Sequence, residues 1–152
     1  MSSKQYFIDG NNLIGKIPSI KKLQDRDKQA SREKIAFTLD RFFINRKEKV
    51  ILFLDGFQNE AIRTAKLRIR YSDNKTADDI IKHEIDISKN PKQIIVVSSD
   101  HSVMEYAKVS YCEVQKSEEF AKVLKKSKSG NKEEEIIKNI DNDEIKKLFG
   151  VD

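Results

Sequence analysis

The chain has 152 residues, 36% charged and 38% hydrophobic, which suits one domain with a real core. Thirty Lys and Arg against 25 Asp and Glu leave a net charge of +5, a balance that fits an anionic partner such as nucleic acid without requiring one. No apolar run approaches the ~20 residues of a membrane span, no signal-peptide core precedes "QYFIDG", and the lone Cys112 excludes an internal disulfide and a cysteine metal cluster, so a cytoplasmic protein away from membranes is expected.

Five strands are predicted in chain order: Gln5–Asp9, Val50–Asp55 ("VILFLD"), Leu67–Ser72 ("LRIRYS"), Gln93–Ser98 ("QIIVVS") and Val109–Val114 ("VSYCEV"). The second and fourth are continuous apolar runs, the pattern of parallel strands buried on both faces. The third alternates, with Leu67, Ile69 and Tyr71 on one side and Arg68 and Arg70 on the other, which predicts an edge strand with a basic, wet face. Between the first two strands, Lys16–Gln29 reads as a polar loop or short helix. Ser31–Arg46 is a predicted helix with Ile35, Leu39, Phe42 and Phe43 at helical spacing. Thr76–Ser88, Asp100–Lys108 and Ser117–Lys126 are further predicted helices. Alternating strands and helices imply an α/β fold with a mostly parallel sheet. The domain is expected to span 1–127, and 128–152 to form a linker ("SKSGNK") and a short helical tail whose Ile136, Ile137, Ile140, Ile145, Leu148 and Phe149 pack on the domain or dock a partner.

Three strands run into acids. Asp9 ends the first, Asp55 the second ("FLDG"), and Asp100 follows the fourth ("VSSD"). In an open α/β sheet the ligand crevice lies beyond the carboxyl ends of the strands. Asp78 and Asp79 add two acids at a helix start, in "KTADDII". Each acid has an ordinary alternative. Asp9-Gly10 and Asp55-Gly56 are turn dipeptides, Asp100 is a helix cap, and Thr76 with Asp79 reads as a capping box. Convergence on one sheet edge is harder to assign to turns. Clustered carboxylates repel unless a cation neutralises them, and oxygen ligands suit Mg²⁺ or Mn²⁺. Asn12 either orients water or phosphate at such a site or satisfies turn backbone.

The ordered set "YFIDGNN", "VILFLDG", "KTADDIIKHEI" and "IIVVSSDHSVMEYA", with the later "YCEVQKSEEFAKVL", resembles the PIN-like nuclease superfamily, and within it NYN domains of the bacterial YacP-like type. The resemblance covers about Tyr6 to Leu124. It implies a three-layer, Rossmann-like domain with a five-stranded parallel sheet of order 3-2-1-4-5, and a metal-dependent ribonuclease acting on RNA. By position it makes Asp9, Asp78, Asp79 and Asp100 metal-site acids, Asp55 an accessory ligand and Asn12 the supporting asparagine. Structure-specific 5′ nucleases carry a second acid two residues beyond the one matching Asp100. Here that position is Ser102, which favours the NYN comparison over a full two-metal site.

An RNA substrate calls for cations near the acids. Lys16, Lys21, Lys22 and Arg26 follow the first strand, and Arg63 and Lys66 lie in the crossover after the second; each is read as a phosphate contact or as ordinary solvated charge. Phe57 and Tyr71 offer stacking surfaces, Tyr71 also suiting the core. His101 lies beside Asp100, and His83 reads as surface. A catalytically inactive RNA- or ribosome-binding module of the same fold is the rival class. A haloacid dehalogenase-type phosphatase needs a second Asp where Asn11 stands, and a receiver domain needs an acidic pair where "DGNN" stands.

Overall fold

Residues 4–127 are described by the structure, a computed structural model. Five strands, β1 (Gln5–Asp9), β2 (Lys49–Leu54), β3 (Arg68–Tyr71), β4 (Ile94–Val97) and β5 (Glu113–Gln115), form one sheet of order β3-β2-β1-β4-β5. Every neighbouring pair is parallel. β1 is central, and strand order reverses between it and β4. β3 is an edge strand, as its alternation predicts.

Helices cover both faces. On one face α4 (Ala77–Ile87) and α5 (His101–Val109) pack Ile80, Ile81, Ile85, Val103 and Ala107 against Phe7, Ile51, Phe53, Ile94 and Val96 of the sheet. On the other, α1 (Gly10–Ile14) and α3 (Lys28–Phe43) lie along β2, and α2 (Pro18–Arg26) stacks on α3. Tyr6 of β1 meets Phe43 of α3 there, with ring centroids 4.9 Å apart, and Phe120 at 6.0 Å. Phe120 belongs to a last helix, α6, described over residues 117–127. Contacts divide the chain between Ala121 and Lys122. The tail expected over 128–152 lies outside the described residues.

Three stretches differ from the sequence reading. Lys16–Gln29 contains a full helix, α2, started by Pro18 at its first position, where a missing N–H costs nothing. α3 begins earlier than predicted because the Asp27 side chain accepts the Ala30 N–H at 3.0 Å and caps it. β5 starts later, because α5 runs to Val109 and the chain then turns through Tyr111, whose φ of 71° ends the helix.

Helix α1 follows β1 without a loop. Gly10 is what allows it to lie so close to β2. A Cβ at this position would meet the Phe53 carbonyl oxygen at 2.6 Å and Leu54 at 2.7 Å.

Candidate active site

The carboxyl ends of β1, β2 and β4 meet around Asp9. This side chain is buried, at 7% exposure. Burial is the main reason its carboxyl is pushed up to about 6, and the nearby charges of Asp55 and Asp100 push the same way. Ser98 Oγ opposes them, donating to Asp9 Oδ2 at 2.8 Å, as does the backbone N–H of Asn12.

The two asparagines after Asp9 act as a clamp on its neighbours. Asn11 Oδ1 accepts the Asp55 N–H at 3.0 Å, tying α1 to the end of β2. Asn12 Oδ1 accepts the Ser99 N–H at 2.8 Å and the Ser117 hydroxyl at 2.7 Å, tying α1 to the end of β4 and the start of α6. So Asn12 does satisfy loop backbone, and it does so at the acids' edge.

Asp55 is held from three sides. Its N–H meets Asn11, its Oδ1 accepts the Ala77 N–H at 2.7 Å, and its carbonyl accepts Arg32 Nη2 at 2.6 Å. Arg32 also donates from Nη1 to the Phe57 carbonyl at 2.9 Å and stacks 5.1 Å from the Tyr71 ring centroid. This arginine is buried on α3 and makes no ion pair among the described residues. It fixes the Asp55–Phe57 loop, with Phe57 itself solvent-exposed.

Asp100 caps α5. Its Oδ1 accepts the Val103 N–H at 3.1 Å, and its own N–H donates to Ser98 Oγ at 3.0 Å. Ser98 thus bridges Asp9 and Asp100 through one hydroxyl. His101 is exposed at the first position of α5, and His83 is exposed on α4.

Asp78 and Asp79 are engaged locally. Asp79 completes the capping box with Thr76, as its spacing predicts. Asp78 Oδ1 lies 2.9 Å from Lys82 Nζ, yet this buried oxygen receives no hydrogen bond of good angle. Lys82 donates instead to Ser102 Oγ at 2.7 Å, so its ammonium stands between the heads of α4 and α5.

Asp9, Asp55 and Asp100 therefore share one electrostatic field, and Asp78 and Asp79 lie at the adjoining helix start, linked to it by the bond from Ala77 to Asp55. Among the described residues, no three His, Cys, Asp or Glu side chains are grouped closely enough to enclose a metal ion. Mg²⁺ commonly uses only one or two carboxylates, with water and substrate phosphate filling the other positions. Asp9 with Asp55 or Asp100 fits that open arrangement; a closed cage including Asp78 and Asp79 does not fit the side chains as they stand.

The predicted cations scatter. Lys16 reaches Glu118 at 4.0 Å, and Glu118 accepts the Ser99 hydroxyl, a bond that leads in holding its carboxyl below the usual range. Lys21, Lys22 and Arg26 are exposed on α2, and Arg63 is exposed in the β2–β3 connection. Lys66 lies just before β3, at the opposite edge of the sheet from the acids. Ser98, Arg32 and Glu118 were not legible as site residues. The first is masked by an apolar strand, the second by an amphipathic helix, and the third is one acid among many.

The fold is an all-parallel, three-layer α/β domain with a buried acid at its carboxyl edge, beside the strand-order reversal. The chain belongs to the YacP-like NYN domain family, whose sequence model matches residues 6–149. That match runs past Leu124, where the recognisable motifs end, into the residues beyond the described part. No curated protein matches the sequence. Among solved structures it is similar to Rae1 (YacP) from Bacillus subtilis, with a TM-score of 0.74 and 18% identity over 92% of this chain and 82% of that one. The W164L mutant of the same protein gives a TM-score of 0.70 at 18% identity, over 92% and 85% of the two chains. At this identity the likeness speaks for the fold. No described helix is long and apolar enough to cross a membrane.

Proposed function

We propose that this chain is a metal-dependent ribonuclease that hydrolyses RNA phosphodiester bonds internally. The observation that carries the reading is Asp9: a buried carboxylate pressed against the charges of Asp55 and Asp100, at the sheet edge where α/β folds bind ligands. Such an arrangement is unfavourable without a cation and favourable with one. Asp9 would hold Mg²⁺ or Mn²⁺ together with Asp55 or Asp100. The bound ion would supply a water of lowered pKa and neutralise charge building on the phosphate. Asn11 and Asn12 keep the flanking segments in register, Ser98 orients Asp9, and Arg32 holds the loop carrying Asp55. Exposed Phe57 is available to a base, and Lys16 to a phosphate. The ammonium of Lys82 already compensates Asp78, which supports a single ion. Asp78 and Asp79 then shape the rim and order α4.

A second reading, an RNA- or ribosome-binding module without catalysis, is favoured by one observation: no three potential ligands are preassembled among the described residues. Incubation of the purified protein with labelled RNA and DNA, with Mn²⁺ or with EDTA, separates the two. Internal RNA fragments that depend on Mn²⁺ are expected. Binding of RNA with no cleavage under any divalent ion supports the second reading.

A further inference from the structure

The sheet has a second charged edge. β1, β2 and β3 run parallel, so their first residues lie together, opposite the acids. There a cavity of about 460 Å³ opens between Gln5, Lys47, Lys49, Lys66 and Arg68, with Val50 and Ile51 also lining it. Register explains the cluster. Gln5 pairs with Lys49, and Ile51 with Arg68. Partners in register share a face, as do residues two apart along a strand, so Gln5, Lys49, Ile51 and Arg68 all face one way.

We propose that this basin is a second RNA contact, gripping the phosphodiester backbone of a strand that also reaches the acid edge. Four cations line it, and none forms an ion pair with a carboxylate of the described residues. Two neighbouring cations are treated differently. Arg70, two residues along the same face of β3, is paired with Glu84, and Lys4 with Glu113. What sets the basin apart is that four such cations gather around one cavity.

The basin is held open by structure. Asp40 of α3 accepts the backbone N–H groups of Ala65, Lys66 and Leu67, at 3.0, 2.7 and 2.9 Å. Burial opposes the charge on Asp40, but those three donors keep its carboxyl below the usual range. This anchor fixes the segment that presents Lys66 and Arg68. Lys66 Nζ is further held by the Arg46 carbonyl.

The chemistry favours a polyanion backbone over a single small anion. The cations are side chains spread around an open basin, and no glycine-rich loop there offers converging N–H groups of the kind that cradle one phosphate. No aromatic side chain lines it, so bases are not stacked or read. A five-residue strand spans ~17 Å, so a strand engaging both edges must be longer than a few nucleotides.

The ligand class rests on the RNA reading of the acid edge; the location does not. The test is binding of labelled single-stranded RNA of roughly 20 nucleotides to the full chain, in EDTA, across a salt series. Cleavage plays no part in it, so a failed nuclease reading leaves this result interpretable. Lys49→Ala with Arg68→Ala is expected to weaken binding several-fold and to flatten the log–log salt slope by about 1.4, at ~0.7 per contact. Lys47→Ala, a milder second variant at an exposed position, is expected to flatten it by about 0.7. Lys49→Arg with Arg68→Lys is expected to keep the wild-type slope. A tetranucleotide, too short to engage both edges, is expected to bind the wild type more weakly than the longer RNA. Unchanged slopes in both alanine variants overturn the proposal. Tight, saturable binding of inorganic phosphate that is lost in the double alanine variant identifies a small-anion site instead, and also overturns it.

Discussion

Asn12 accepts the backbone N–H of Ser99 through Oδ1 at 2.8 Å, from a helix that begins directly after the buried Asp9. Asn11 does the same for Asp55 on the other side. Two consecutive amides therefore hold the ends of both strands that flank β1, and this is why a strand ending on a carboxylate is followed at once by Gly-Asn-Asn.

Replacing Asn12 by alanine leaves the Ser99 N–H and the Ser117 hydroxyl without their acceptor. Unsatisfied donors in a half-buried site cost about 1–3 kcal/mol. Urea unfolding of Asn12→Ala should show a loss in that range with an unchanged m-value. A midpoint equal to wild type would mean the clamp carries no stability.

Asp9 makes stability depend on pH in an unusual direction. Its carboxyl titrates at about 6 in the folded protein, against 3.8 for the free group, so between these values the folded state holds the extra proton. Stability from this group therefore falls as pH rises through that window and stays lower above it. A shift of this size corresponds to roughly 3 kcal/mol as an upper figure. Asp9→Asn should gain on wild type by up to that amount between pH 4 and pH 7.5, in EDTA. A stability difference constant across pH contradicts the burial and charge argument.

A divalent ion should reverse that penalty. At pH 7.5 Mg²⁺ or Mn²⁺ at ~100 times its dissociation constant should stabilise the wild type by about 2.7 kcal/mol, since only the folded state presents the site. Thermal unfolding with and without the ion measures this. Asp9→Asn should show little response.

Arg32 should matter beyond its distance from any ligand. Arg32→Lys keeps the charge but cannot serve the Asp55 and Phe57 carbonyls together with one planar fork. A loss of about 1.5–3 kcal/mol is expected, the worth of hydrogen bonds from a charged donor. RNA cleavage should fall with it, because the Asp55 loop is released. A variant with wild-type stability and activity would remove Arg32 from the account.

The fold was legible because its signals are redundant. β2 and β4 are unbroken apolar runs, β3 alternates, and the acids mark where strands stop. What escaped was local or long-range. α1 is hidden because Asp-Gly-Asn-Asn is a turn composition, and only packing against Phe53 explains a helix there. The late start of β5 depends on how far α5 continues. Ser98 and Arg32 gain their roles from partners far away in sequence, which no spacing rule reveals. The basic residues misled most. Lys66 follows β2 in sequence, yet the crossover carries it to the far edge before β3 begins. Order in the chain says which edge a strand ends on, but not where a long connection comes to rest.

The central claim is that Asp9 holds the divalent ion on which RNA cleavage depends. The direct measurement is the cleavage rate of one labelled RNA by wild type and Asp9→Asn, in saturating Mn²⁺, with both proteins shown to be folded. Metal-dependent cleavage by wild type and a loss of at least about a hundredfold in the variant is expected, on the order of the several kcal/mol a metal contributes to a transition state. Near wild-type cleavage by Asp9→Asn would contradict the claim.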